Sequence, residues 1–270
     1  LLVFFIFIFR QKTQTQYLFN QELYDRLLVK KGGLLLKHRY LLYVGAFFFI
    51  ILALSRPVIQ ESEVELKSEG IDIMVAIDIS HSMLAEDIYP NRLEVAKHKV
   101  FKLLEYSEND RIGVMGYAKY PYIISPLTLD HKASSYLIKH LDTHSVTGKG
   151  TNINAVLQIM SKKNKKKKEQ ALLILTDGGD KSDFSEDIEY ANKHKIKIFI
   201  LAIASEKGAP IKDDDGQFLK YEDKIYISHL NTKIKQLALN TGGAYMKVRI
   251  DSLDIKTLLS EIQKRFRKQA

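Results

Sequence analysis

Ile71-Asp72-Ile73-Met74-Val75-Ala76-Ile77-Asp78-Ile79-Ser80-His81-Ser82 is the stretch whose reading decides the fold. Residues 71–77 are a run rich in strand-favouring side chains. The run stops at Asp78, after which Ser80 and Ser82 put hydroxyls at alternate positions. Outward from it, strand and helix patterns alternate at the spacing of a parallel sheet with crossover helices. Residues 91–106 carry Leu93, Ala96, Val100, Leu103 and Leu104 on one helical face. Residues 112–117 read as the second strand and 122–125 as a short third, hairpin-paired with it. Asp130 opens a helix through residue 141, and 152–160 is a short helix. Residues 171–176 and 196–204 are further strands, separated by a helix for which Asp183 and Glu186 suggest a capping box. A helix over 231–240 stops at Thr241-Gly242-Gly243, 244–248 is a last strand, and 252–266 is amphipathic. The expected fold class is α/β: a Rossmann-like open sheet, mostly parallel with one antiparallel edge strand, helices on both faces.

Residues 206–228 interrupt this rhythm. Asp215-Gly216 is a hairpin-turn dipeptide, flanked by Gln217-Phe218-Leu219 and Lys224-Ile225-Tyr226-Ile227, which predicts an inserted hairpin. Asp213, Asp214 and Asp215 invite a calcium-loop reading, but the alternating acidic spacing and distal glutamate are missing, so a solvated turn is the better reading.

Ahead of the α/β pattern lie two apolar segments. Residues 1–9 are too short to cross a bilayer, which takes about 20 residues, and read as the remnant of a first membrane helix. Residues 40–56 are apolar up to Leu54 and close on Ser55-Arg56-Pro57, which predicts a transmembrane helix, with a buried core helix as the alternative. Between them, residues 10–39 hold Arg10, Lys12, Arg26, Lys30, Lys31, Lys37 and Arg39 against Glu22 and Asp25. A short basic loop stays in the cytoplasm, which sends everything after the second helix to the far side. Residues 57–70 form a polar linker, 71–250 the α/β domain, and 251–270 a C-terminal helix expected to lead to a further membrane helix.

Across its 270 residues the chain has no cysteine, which excludes a disulfide framework, a thiolate metal site and a cysteine nucleophile. A formal net charge of +9 raises the question of nucleic acid. The lysines, however, are spread along the chain, and the dense tract 162–168 lacks the interleaved aromatics that stack bases. No nucleic-acid role is expected.

Chemistry concentrates at strand ends. Asp78-Ile79-Ser80-His81-Ser82 follows the first core strand, Gly148-Lys149-Gly150-Thr151-Asn152 precedes a short helix, and Thr176-Asp177-Gly178-Gly179 ends a buried strand. Loops at the carboxyl ends of parallel strands converge on one crevice. Together these loops offer hydroxyls from Ser80, Ser82 and Thr151 and carboxylates from Asp78 and Asp177. Hard oxygen donors of this kind suit Mg2+ or Mn2+ rather than zinc or copper.

This constellation resembles the von Willebrand factor A domain and its metal-ion-dependent adhesion site. The resemblance implies that Ser80, Ser82 and Thr151 bind the metal directly while Asp78 and Asp177 support it, mostly through water. It implies a binding module, not an enzyme, whose cation accepts a carboxylate from a protein partner. His81 stands where the family commonly has glycine. His81, Lys149 and Lys119 are expected to make a positive rim, with no acidic side chain beyond the two supporting aspartates. Glu69-Gly70-Ile71-Asp72-Ile73, Met83-Leu84-Ala85-Glu86-Asp87, Pro90-Asn91-Arg92-Leu93-Glu94, Asp110-Arg111-Ile112-Gly113 and Ser125-Pro126-Leu127-Thr128 are similar to the Bat family of bacterial aerotolerance membrane proteins. That likeness implies an inner-membrane location with a periplasmic domain, and as partners sibling Bat-type membrane proteins and a MoxR-type ATPase. Two other functions stay open. A magnesium-dependent phosphatase-type hydrolase needs a second aspartate where Ser80 stands. A metal-free scaffold would use these residues only as loop and helix caps.

Overall fold

Strand β1 (Asp72–Asp78) is an inner strand of a six-stranded sheet in a computed structural model of the chain. The structure describes residues 36–55, 70–143, 150–163, 168–212, 216–222 and 224–267. Segments 1–9 and 57–69, most of loop 10–39, Lys149, the centre of the lysine tract, and Asp213, Asp214 and Asp215 lie outside the described residues. The chain divides into two units, Leu1–Val64 and Glu65–Ala270.

In the first unit, α1 (Leu36–Leu54) is a helix of 19 residues with exposed apolar side chains, Leu41 and Phe49 at 70% each. Among the described residues no helix is long and apolar enough to cross a membrane. At 1.5 Å per residue α1 measures roughly 28 Å, and its first turn is Leu36-Lys37-His38-Arg39, which shortens the apolar part further.

In the second unit, α2 (Arg92–Tyr106) follows β1 after a 3-10 turn, His81–Leu84. Then come β2 (Arg111–Tyr117), β3 (Pro121–Thr128), α3 (His131–Lys139), α4 (Ile153–Lys163) and β4 (Gln170–Thr176). After these come α5 (Ser185–Lys193) and β5 (Ile196–Ala202). The short strands β6 (Ala209–Pro210), β7 (Lys220–Tyr221), β8 (Lys224–Ile225) and β9 (Ile227–Ser228) precede α6 (Ile234–Asn240), β10 (Tyr245–Lys247) and α7 (Leu253–Arg267). The sheet order is β10-β5-β4-β1-β2-β3. Every neighbouring pair is parallel except β2 with β3, which makes β3 the antiparallel edge strand expected from the sequence.

Alternation along β1 explains the two-sided core. Ile73, Val75 and Ile77 pack with Leu93, Val100 and Leu103 of α2 and with Ile255, Leu258 and Ile262 of α7. Met74 and Ala76 point the other way, toward Val156, Leu157 and Met160 of α4 and Leu237 of α6. A strand buried on both faces has no polar side to show, which is why residues 71–77 read as a nearly unbroken apolar run.

Local capping matches the sequence at Asp130, which accepts from the Ala133 amide at 3.0 Å, and Asn91 also caps its helix, its side chain accepting from the Glu94 amide at 2.8 Å. It differs at Asp183. There Oδ1 accepts from both the amide and the hydroxyl of Ser185, at 2.9 and 2.6 Å. The serine hydroxyl competes for the carboxylate, so the reciprocal box with Glu186 does not form. Segment 206–228 is also more than one hairpin. β6 pairs antiparallel with β9, β7 pairs with β8, and Lys212 bridges Phe218. The turn between β7 and β8 passes through Glu222 at φ 50, so the chain reverses there as well as around Gly216.

Candidate metal site

The carboxyl ends of β1, β2 and β4 are tied together by backbone hydrogen bonds. The Ile79 amide donates to Tyr117 O at 2.9 Å, and the Asn152 amide to Ala118 O at 2.9 Å, which brings the Thr151 loop to the end of β2. Gly179, at φ +56, lies against Thr151: a Cβ on Gly179 would stand 3.0 Å from Thr151 Cβ. Its positive φ favours glycine, and any side chain there would crowd Thr151 and push the loops apart. The predicted residues Asp78, Ser80, Ser82, Thr151 and Asp177 therefore lie on loops that meet at one edge of the sheet.

Within that edge the two carboxylates act as braces. Asp78 Oδ1 accepts from the Ser80 amide at 3.0 Å, and Oδ2 from Thr176 Oγ1 at 2.6 Å. Asp177 Oδ1 accepts from the Gly179 amide at 3.0 Å, and Oδ2 from Arg92 Nη1 at 2.9 Å. Both residues are buried. Burial first, and the Asp177 charge second, raise the Asp78 carboxyl from 3.8 to about 7; hydrogen bonds from Thr176 and Ser80 oppose the rise.

The hydroxyls are less committed. Ser80 Oγ and Ser82 Oγ are 3.0 Å apart. A cation bound at about 2.1 Å in an octahedron separates neighbouring ligand oxygens by about 3.0 Å. The serine pair therefore has the spacing of adjacent ligands of Mg2+, beside carboxylates whose mutual repulsion a divalent cation would relieve. Among the described residues there is no cluster of three or more His, Cys, Asp or Glu side chains that could hold a metal.

The rim differs in part from expectation. His81 is half-buried, and Lys119 is exposed with its ammonium 5.7 Å from the Tyr120 ring centroid. The loop after β4 also carries exposed Asp180, whose Oδ1 accepts from Tyr226 Oη at 3.1 Å. An acidic side chain thus stands beside loops expected to be wholly positive, and segment 206–228 touches it through Tyr226.

Arg92, Asp87, Thr176 and Asn231 brace the loops of the site, and Ser228 is fastened to Arg92; sequence reasoning assigned none of them a role. Asn231 Nδ2 donates to the carbonyls of Gly178, Gly179 and Lys181, at 3.3, 3.0 and 2.7 Å, and holds the loop after β4 in shape. Burial pushes the Asp87 carboxyl up, but the Arg92 guanidinium and the Ser205 amide outweigh it and hold it below the usual carboxylate range. The available signal was the segment Asp87 to Arg92, two opposite charges flanking Pro90 ahead of an apolar helix face. Nothing local indicates that the arginine turns inward.

The von Willebrand factor type A domain family matches residues 73–180. Among solved structures, the chain is similar to an aerotolerance-related membrane protein of Bacteroides fragilis, with 27% identity and a TM-score of 0.66 over 72% of this chain and 100% of that one. It shares its fold with BatB of Bacteroides thetaiotaomicron, at 23% identity and a TM-score of 0.66, over 74% of this chain and 100% of that one. An uncharacterized protein of Borreliella burgdorferi is 28% identical over 221 residues, which are 78% of this chain and 63% of that protein. The chain therefore spans less than two thirds of this curated relative.

Proposed function

Residues 73–180 of this chain are a von Willebrand factor type A domain, and from that premise we propose a membrane-anchored binding module. It holds Mg2+ or Mn2+ through Ser80, Ser82 and Thr151, braced by Asp78 and Asp177, and engages a carboxylate of a protein partner. The observation that carries this reading is the 3.0 Å pair of serine hydroxyls beside two buried carboxylates. A bound cation would supply a concentrated positive charge, only partly neutralised by hydroxyl ligands, for an anionic side chain to complete. The residues themselves fix loop shape and ligand direction. A phosphatase-type hydrolase is the weaker reading, since Ser80 stands where its second aspartate is needed and its hydroxyl faces Ser82.

Membrane anchoring is supported by the exposed apolar surface of α1 and by likeness to a Bacteroides fragilis protein described as an aerotolerance-related membrane protein. The basic loop 10–39 favours a cytoplasmic loop and a periplasmic domain. Participation in an envelope complex for aerotolerance, with sibling Bat-type proteins and a MoxR-type ATPase, is the extension of the same likeness. A periplasm-dependent reporter fused after Val248 should be active and one inserted near Lys30 silent. The opposite pattern would overturn the orientation.

The metal assignment has a direct test. Titration of the full chain in detergent with Mg2+ or Mn2+ should show binding, and Ser80→Ala should lower affinity by about 10–100-fold, a loss of the size usual for groups that shape a metal site. Ser80→Ala is a better probe than Asp177→Ala, which would also leave buried Arg92 short of a partner. Equal affinity in wild type and Ser80→Ala would sink the assignment.

A further inference from the structure

Arg92 is fully buried, and its guanidinium joins its own neighbourhood in sequence, at Ser82 and Asp87, to the distant Asp177 and Ser228. Nε and Nη2 hold the two oxygens of Asp87 at 2.7 and 3.0 Å. Nη1 donates to Asp177 Oδ2 at 2.9 Å, to Ser228 Oγ at 2.8 Å and to Ser82 O at 3.3 Å. Nη2 also donates to Ser228 O at 3.0 Å. A planar fork with fixed donor directions holds all four at set angles, which a lysine ammonium would not do.

Both ends of segment 206–228 rest on this pair. At one end the Ser205 amide donates to Asp87 Oδ2 at 2.6 Å. At the other, Ser228 presents both its hydroxyl and its carbonyl to Arg92, and its hydroxyl also lies 3.3 Å from Asp177 Oδ2. Between those ends its described residues form two-residue strands and one isolated bridge, and Phe218, Ile225 and Ile227 are exposed. A segment with so little core of its own takes much of its order from its attachments.

We propose that the Asp87–Arg92 pair is the positioning device of the cation site, and that through it occupation of the site orders segment 206–228. The inference rests on the cation reading above. The physical link is Asp177. Its Oδ2 is held by the same guanidinium nitrogen that holds Ser228, so fixing the carboxylate beside a cation fixes the group to which the segment is fastened. Coupling of this kind is reciprocal: whatever stabilises the segment tightens cation binding by the same factor. A partner lying on segment 206–228 would therefore strengthen the site it approaches.

Hydrogen exchange of the full chain in detergent, with Mg2+ or with chelator, tests the coupling alongside a Mg2+ titration of each protein. The Leu219 and Tyr226 amides are the reporters, since they donate within the segment to Ile211 O and Leu219 O at 2.9 and 2.8 Å. In wild type, Mg2+ should slow their exchange about fivefold or more, the low end of ordinary coupling between sites. Ser228→Ala removes the hydroxyl's bonds to Arg92 and Asp177 but leaves the Arg92–Asp177, Arg92–Asp87 and Arg92–Ser228 carbonyl bonds in place; it should still bind Mg2+ but lose part of that slowing. Arg92→Lys keeps the charge and loses the fork, so it should weaken Mg2+ binding more than Ser228→Ala does. Wild type that binds Mg2+ with unchanged exchange would overturn the coupling and leave the cation reading intact. Absence of Mg2+ binding in wild type would overturn both. Ser228→Ala that speeds exchange yet keeps the full Mg2+ effect would reduce Ser228 to a structural contact and refute the link.

Discussion

Arg92→Met should lower the stability of the domain by about 3–5 kcal/mol, the range for removing one partner of a buried ion pair. That is a large share of the roughly 5–15 kcal/mol that keeps a domain folded. The side chain of Arg92 is 0% exposed, and those of its partners Asp87 and Asp177 are 4% and 1% exposed. Methionine fills much of the volume but leaves two carboxylates in a dry environment without their counter-charge, and it strips Ser228 O and Ser82 O of their donor. The loss is dominated by the stranded charges, since replacing such a cluster wholesale with apolar groups is often harmless. Urea denaturation of the full chain followed by tryptophan-free methods such as far-ultraviolet circular dichroism checks the value. Asp72→Asn, which breaks the exposed Arg111–Asp72 pair at 2.6 Å, is the control and should be nearly silent. A midpoint shift as small for Arg92→Met as for Asp72→Asn would show that the buried cluster is not needed for stability.

Gly243→Ala should be comparably damaging, at about 3 kcal/mol or more, the upper end of overpacking costs. A Cβ at this position would lie 1.7 Å from Ile198 O and 2.4 Å from Ile198 C. Those are backbone atoms of β5, hydrogen-bonded as a strand to β4 on one side and β10 on the other, so they cannot move away cheaply. Gly243 also closes α6, its amide donating to Ala238 O at 2.9 Å, and it sits two residues before β10. The neighbouring Gly242 is a different case. It has φ +75 but nothing within 4 Å, so Gly242→Ala meets only backbone strain. Thermal unfolding of the two variants should separate them clearly, with Gly243→Ala much the lower. Equal melting temperatures would mean that the β5 backbone yields where the sheet geometry says it should not.

Much of the α/β order was legible because the periodicities are unambiguous. Residues 71–77 and 171–176 are apolar runs of strand length, and 91–106 and 252–266 are amphipathic at helical spacing. The antiparallel partner of β2 followed from a short connection, since a strand only a few residues away can only return as a hairpin. The candidate site was legible in its first layer for a similar reason. Asp78-Ile79-Ser80-His81-Ser82 and Thr176-Asp177-Gly178-Gly179 stand at strand ends, where an open parallel sheet gathers its loops. Segment 206–228 was harder, because an Asp-Gly dipeptide announces one turn and carries no information about the second reversal at Glu222.

By itself the sequence determined the strand and helix pattern and which hydroxyls and carboxylates stand at the sheet's edge, because those depend on near neighbours along the chain and on one rule of topology. Only the tertiary structure decided that Ser80 Oγ and Ser82 Oγ stand 3.0 Å apart, that Asp180 joins the rim, and that Arg92 turns inward to hold Asp177 and Ser228. Those contacts link residues up to 136 positions apart. An arginine at the start of a helix is as well suited to solvent as to the interior. What settles the choice is the presence of two buried carboxylates and a serine within reach of one planar fork, and that is fixed only when the loops of the sheet have closed around it.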